Sequence, residues 1–211
     1  MVLPGAAALP VPTGKTVCAQ GCAGGTVRRA VLKIAAMQPL SLAKAPPVRP
    51  SVRFLLQHPA HFIALGMGSG LSPIAPGTVG TLWGWLAFLV LQLWLDTAQI
   101  GWLIAGSTLV GWWACTVTAQ HLRVSDPGAV VWDEVVAFWL VLWLAMPMGF
   151  WGQLVAFALF RFFDAAKPGP VGWADQLFKG FGWRGGWGIL FDDFVAAFCA
   201  LLVIAVWRFF W

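Results

Sequence analysis

Five apolar runs dominate the chain after residue 78, at approximately 79–95, 100–119, 129–146, 150–163 and 189–207. A helix needs roughly 17–25 apolar residues to cross a bilayer, a length that four of the five runs reach. Lipid offers no water to a bare peptide group, so a spanning segment must close its backbone hydrogen bonds within itself, as a helix does. Composition agrees: the 211 residues are 60% hydrophobic and 10% charged, with 15 Trp, more apolar surface than a core of this size can hide. The expected fold is all-α, a multi-pass helical membrane protein with four to five apolar helices. The short run at 150–163 pairs with its predecessor as a hairpin broken at Pro147-Met148-Gly149. A disordered or collagen-like chain is excluded, and an ordinary soluble enzyme does not fit.

Charge divides the chain in two. Residues 1–53 carry seven Lys or Arg and no acid; residues 54–211 carry six basic and eight acidic side chains. The first stretch, rich in Gly, Pro, Ala and Val, reads as a flexible basic arm, and 54–211 as the membrane domain. Met37 offers an alternative start, which would place 1–36 outside the protein. No aromatic interleaves the charges of the arm and no nucleic-acid-binding signature appears, so the expected partner is anionic lipid and not nucleic acid. Cys18, Cys22, Cys115 and Cys199 form no ligand-spaced set. Residues 54–67 read as a short interfacial helix, followed by a loop of turn residues at 68–78.

Lys and Arg collect in the cytoplasmic loops of membrane proteins. With the amino terminus inside and five crossings, those loops carry Arg123, Arg161, Lys167, Lys179 and Arg184, and the far side only Arg208. The same orientation brings Asp133 and Glu134, Asp164, and Asp192 and Asp193 to the cytoplasmic ends of three segments, on the face that holds the 68–78 loop. That face is the expected site.

Five carboxylates at the ends of apolar helices need compensation, since a charge in mid-bilayer costs about 2.5–3.5 kcal/mol on insertion scales. Two like charges 4 Å apart repel by about 4 kcal/mol at an effective dielectric of 20. Arg161 and Lys167 offset two of the five, and a divalent cation suits the remainder. Hard oxygen donors without nearby His or Cys favour Mg²⁺, Ca²⁺ or Mn²⁺ over Zn²⁺. The spacing Arg161-x-x-Asp164-x-x-Lys167 places a carboxylate between two cations on one helical face, an arrangement for a metal beside a phosphate. It is equally the spacing of a plain i,i+3 ion pair. Acids in a first helical turn also complement the helix dipole with no ligand at all.

The order of blocks carries a resemblance. Gly68-Ser69-Gly70-Leu71-Ser72-Pro73-Ile74-Ala75-Pro76-Gly77-Thr78-Val79-Gly80 is followed by Val131-Trp132-Asp133-Glu134. Then come Phe160-Arg161-Phe162-Phe163-Asp164-Ala165-Ala166-Lys167-Pro168 and Asp192-Asp193. This series resembles the phosphatidylglycerophosphatase A family over residues 54 to about 207, with Val135 a mild departure from the family's second block. The resemblance implies an all-helical, Mg²⁺-dependent phosphatase of the bacterial inner membrane, acting on phosphatidylglycerophosphate. Metal-assisted hydrolysis then takes Asp133, Asp164 and Asp192 as the expected ligands and Glu134 or Asp193 as the group that positions or deprotonates water, with an acyl-phosphate route through one Asp as the alternative. Arg161 and Lys167 would bind the terminal phosphate. Ser69, Ser72, Thr78 and the loop amides would hold phosphate oxygens.

Other motifs carry less. Cys22 to Arg28 has the C-x5-R spacing of cysteine phosphatases, but no strand precedes it. Gly14-Lys15-Thr16 lacks the first Gly of a phosphate loop, since Leu9 stands there. His58, His61 and His121 lack the context of histidine phosphatases and read as interfacial. The rival class is an ion-coupled transporter or a structural membrane subunit; mid-span ionisable residues and an inverted repeat would mark the first, and neither is visible.

Overall fold

The computed structural model describes residues 50–178, 180 and 182–210. The arm up to residue 49, with its alternative start and its Cys22 and Gly14 motifs, lies outside the described residues, as does Lys179. Regular structure among the described residues is helical throughout. Two short helices, α1 (Val52–Gln57) and α2 (Pro59–Ala64), lead through a 3-10 segment at Gly66–Leu71 to α3 (Pro76–Leu91) and α4 (Thr97–Leu122). The series continues with α5 (Trp132–Ala145), α6 (Phe150–Ala166), α7 (Pro170–Leu177) and α8 (Trp183–Phe210).

Local chemistry sets the boundaries. Ser51 caps α1 through the Phe54 N–H. The expected helix at 54–67 divides at Pro59, where the His58 ring accepts the Ala60 N–H. Asp96 and Gln99 form a reciprocal capping box at the start of α4, satisfying two otherwise orphaned amides. Arg123 and Lys167 take left-handed conformations that end α4 and α6. The expected hairpin is present: α5 and α6 are joined by residues 146–149 and pack on each other.

Each apolar run becomes a helix. Two of these, α4 at 26 residues and α8 at 28, are long and apolar enough to cross a membrane. Both present apolar side chains outward, Trp102 and Leu109 on α4 and Leu202 and Trp207 on α8. One boundary corrects the sequence reading. The last helix begins at Trp183, not near 189, so Asp192 and Asp193 lie in its third turn. A dipole effect confined to the first turn does not account for them.

The centre of the bundle is α5, which packs against α3, α4, α6 and α8. Val135, Val136, Phe138, Val141 and Leu142 on this helix are fully buried. Three of its indoles tie it to its neighbours: Trp139 donates to the Gly84 carbonyl at 2.7 Å, Trp132 to Ser107 at 3.1 Å and Trp143 to Thr97 at 2.8 Å. Phe138 packs edge-on against Trp85 and Phe157 and at a tilt against Phe160. Phe138→Ala is therefore expected to cost about 3–5 kcal/mol, read as a lowered unfolding midpoint in detergent.

The amino-terminal helices dock through histidine. His61 is buried; its Nδ1 lies 2.9 Å from the Phe54 carbonyl and its Nε2 2.8 Å from Nδ1 of His121 on α4. Burial holds the His61 pKa below its ordinary value; the Phe54 carbonyl opposes this, and His121 and His58 add to it. These histidines secure α2 to the end of α4.

Candidate active site

Glu134, in the first turn of α5, faces the amino terminus of α3, and the approach is possible because residue 77 is glycine. A Cβ on Gly77 would stand 2.0 Å from Glu134 Oε1. Glu134 Oε2 is 2.9 Å from Arg161 Nη1, and the same nitrogen donates to Asp164 Oδ2 one turn along α6. Thr81 closes the group. Its hydroxyl lies 3.0 Å from Glu134 Oε2 and 2.8 Å from the Gly77 carbonyl, and its single hydrogen serves one at a time. Arg161 also reaches the Thr81 oxygen at 3.5 Å. One guanidinium thus joins α3, α5 and α6.

A second ion cluster sits about one turn further along, at the residue that caps the carboxyl end of α6. Lys167 Nζ lies 2.6 Å from Asp175 Oδ1 on α7 and 2.6 Å from Asp192 Oδ2 on α8. Burial lowers the Lys167 pKa, but the two carboxylates more than reverse this, so the ammonium stays charged above its ordinary range. Asp192 also lines a pocket of about 130 Å³ with Ser125, Asp126 and Asp175. Asp126 stands close enough to Asp133 and Asp192 to interact with both electrostatically.

Asp133 and Asp193 neighbour these two clusters, and the protein leaves several of the acids incompletely paired. Asp133, Asp164, Asp192 and Asp193 are each at most 9% exposed. Asp133 Oδ1, Asp192 Oδ1 and Asp193 Oδ2 are buried with no hydrogen-bond partner. Asp193 is electrostatically coupled to Asp164, Asp133, Asp192 and Glu134. Buried polar atoms are nearly always satisfied, so three orphaned carboxylate oxygens in one neighbourhood call for a ligand. Their hard oxygen chemistry fits a cation such as Mg²⁺. Among the described residues no three His, Cys, Asp or Glu side chains are gathered closely enough to hold a metal as they stand. Holding an ion there would require the carboxylates to come closer together.

Residues 62–208 match the phosphatidylglycerophosphatase A family. The chain belongs to that family. The phosphatidylglycerophosphatase A of Escherichia coli strain K12 is 38% identical over 150 residues, covering 68% of this chain and 80% of that protein. The phosphatidylglycerophosphatase A of Haemophilus influenzae is 38% identical over 156 residues, covering 74% of this chain and 92% of its own length. No solved structure matches the chain.

The family blocks converge unevenly. Glu134, Arg161 and Asp164 meet directly, and Lys167 meets Asp192. The loop residues stand differently: the Ser69 hydroxyl donates to the Gly66 carbonyl at 2.9 Å and the Ser72 hydroxyl to Ile74 at 2.8 Å. Thr78 is half-buried in the first turn of α3. Three participants escaped the sequence reading. Thr81 is one helical turn beyond Gly77 on the same face, a spacing the sequence does show. Asp126 and Asp175 sit outside the apolar runs, and only the folded packing brings them to Asp192.

Proposed function

We propose that this chain hydrolyses phosphatidylglycerophosphate to phosphatidylglycerol and inorganic phosphate, a step of phospholipid biosynthesis, with Mg²⁺ held by its buried carboxylates. The family supports the substrate. The observation that carries the chemistry is the trio of unpartnered oxygens on Asp133, Asp192 and Asp193, with Lys167 paired to Asp192 and Arg161 paired to the neighbouring Glu134 and Asp164.

Asp133, Asp164 and Asp192 would hold the ion; bound there, Mg²⁺ supplies Lewis-acid charge that neutralises the phosphate. Arg161 and Lys167 bind the terminal phosphate and stabilise charge as it develops. The amino terminus of α3 has no side-chain cap, so its first amides, with the Thr78 hydroxyl, offer further donors to phosphate oxygens; the Ser69 and Ser72 hydroxyls would join them only by releasing the Gly66 and Ile74 carbonyls. Asp193 accepts the proton of the attacking water, since its Oδ2 has no other partner, whereas Glu134 is engaged by Arg161 and Thr81. Glu134 instead positions Arg161. The water oxygen bonds to phosphorus while the bond from phosphorus to the glycerol oxygen breaks. The departing oxygen takes up a proton, and phosphatidylglycerol and phosphate result.

In the membrane, α3, α4, α5, α6 and α8 cross in turn with the amino terminus inside, as the Lys and Arg distribution favours. The site then faces the cytoplasm from the bacterial inner membrane, at the level of lipid headgroups. The helices α3, α5 and α6, at 16, 14 and 17 residues, span about 24, 21 and 26 Å, less than the ~30 Å hydrocarbon core. Local thinning of the bilayer over these short helices brings the headgroup down to the acids.

The test is phosphate release from phosphatidylglycerophosphate in detergent micelles by the purified full chain. Release is expected to need Mg²⁺, to fall in EDTA, to recover on re-addition and to survive Cys22→Ser. A folded preparation that releases no phosphate would overturn the assignment. Loss in Cys22→Ser with indifference to EDTA would move the chemistry to the arm.

A further inference from the structure

Two large apolar grooves mark the lipid-facing side of the bundle. The larger, about 700 Å³, runs between α6 and α8 and is lined by Met148, Val155, Val203 and Trp207 among others. Those residues belong to the ends of α6 and α8 remote from Asp164 and Asp192. Along α8, Asp192 and Val203 are eleven residues apart, about 17 Å of helix. A lipid in that groove would have its chemistry out of reach.

The other, about 510 Å³, lies between α3 and α4 with α5 as its floor. Trp83, Leu86, Val90, Leu103 and Trp139 line it with indole and hydrocarbon. Ser107 contributes the lining's one hydroxyl, and its backbone carbonyl accepts the Trp132 indole N–H. From Trp83 to Leu91 the groove follows α3 for eight residues, about 12 Å. One end meets the acid site in the chain itself. Trp132 in the groove wall immediately precedes Asp133, and Met67 belongs to the 3-10 segment that leads to the Gly77 contact with Glu134. The other end, at Leu91 and Leu103, lies toward the α3–α4 connection and away from Asp133 and Glu134.

We infer that the α3–α4 groove holds one fatty-acyl chain of the substrate phospholipid and so registers the headgroup over the carboxylates. The inference rests on the phosphatase reading and adds a specificity element to it: discrimination by acyl length, made by Ala87, Val90 and Leu103. A phosphate ester lacking long chains would reach the acids without that anchorage.

The experiment compares KM for dioleoyl and dihexanoyl phosphatidylglycerophosphate in mixed micelles, with Mg²⁺, for wild type and three substitutions. Ala87→Trp and Val90→Trp fill the groove, while Val155→Trp loads the remote one. The groove-filling changes are expected to raise the dioleoyl-to-dihexanoyl KM ratio ~10-fold, the lost contact of about two methylene groups. Val155→Trp keeps the wild-type ratio. If Ala87→Trp loses turnover of both lipids, Val90→Trp decides, because Val90 is 50% exposed and a larger side chain there displaces no core neighbour. An unchanged ratio in Val90→Trp, or an equal rise in Val155→Trp, would overturn the inference while leaving the phosphatase reading intact. Wild type inactive on both lipids would overturn that reading, and this inference with it.

Discussion

Arg161→Lys is expected to lower kcat/KM for phosphatidylglycerophosphate by about 100- to 1,000-fold while keeping a positive charge at the same position. A single guanidinium nitrogen meets Glu134, Asp164 and Thr81, acceptors supplied by three helices. The planar fork of arginine has further N–H groups left for a phosphate after those contacts; an ammonium has three donors on a shorter head. A lysine in this place could pair with Asp164 one turn away or with Glu134 across the helix interface, and would have little left for the substrate. The abandoned carboxylate would remain buried, a situation that costs more than an exposed pair ever returns. Stability should therefore fall along with activity, and the two effects need separate measurement. Steady-state kinetics above and below KM, set beside the unfolding midpoint, separates them. A well-folded Arg161→Lys enzyme with wild-type kcat/KM would show that the guanidinium serves only to join the helices.

How much of this was legible in the sequence depends on what kind of signal each residue left. The apolar runs predicted helices because lipid and a packed core both reward the same long hydrophobic stretches, and α3 through α6 follow them closely. The beginning of α8 was hidden by its glycines. Gly185, Gly186 and Gly188 precede the apolar run at 189–207, yet they lie within the helix, where small residues let backbones come together. At Gly186 a Cβ would stand 1.8 Å from Thr116 Oγ1 of α4. Sequence alone does not distinguish a glycine that bends a chain from one that admits a neighbour. That ambiguity misplaced Asp192 and Asp193 to a first helical turn, where dipole chemistry would have explained them.

The acids themselves were visible because charge is rare in this chain. Their partners were less so. Arg161 and Asp164 share one helix, and their spacing predicts their pairing. Lys167 finds Asp175 and Asp192 only through the packing of α8 against α6 and of α7 against α8. Thr81 looked like one more residue of an apolar helix, although its hydroxyl contacts both Gly77 and Glu134. Polar side chains that act at helix interfaces carry no periodic signature of their own, so the site was readable as a collection of charges and unreadable as a network.

Gly77→Ala tests that network at its narrowest point, with an expected loss of about 100-fold in kcat/KM, the scale set by displacing a positioned group by about 1 Å. The added methyl would fall 2.0 Å from Glu134 Oε1 and 2.7 Å from the carboxyl carbon, so the carboxylate must leave its place between α3 and α5. Arg161 then loses its partner across the interface and keeps only Asp164. Helix propensity works in the other direction, because alanine favours a helix over glycine by up to about 1 kcal/mol. Backbone preference and local packing therefore oppose each other, which limits the change in stability while the site is disturbed. Gly84→Ala supplies the comparison. Its Cβ would meet Val135 at 3.1–3.3 Å, a tight contact against hydrocarbon with no charged group to displace. The two variants, measured for unfolding midpoint and for kinetics on the same micelles, should diverge in kcat/KM far more than in stability. Equal kinetic losses in both would mean that the spacing of α3 and α5 matters and the placement of Glu134 does not. Wild-type kinetics in a folded Gly77→Ala enzyme would remove Glu134 from the positioning of Arg161 altogether.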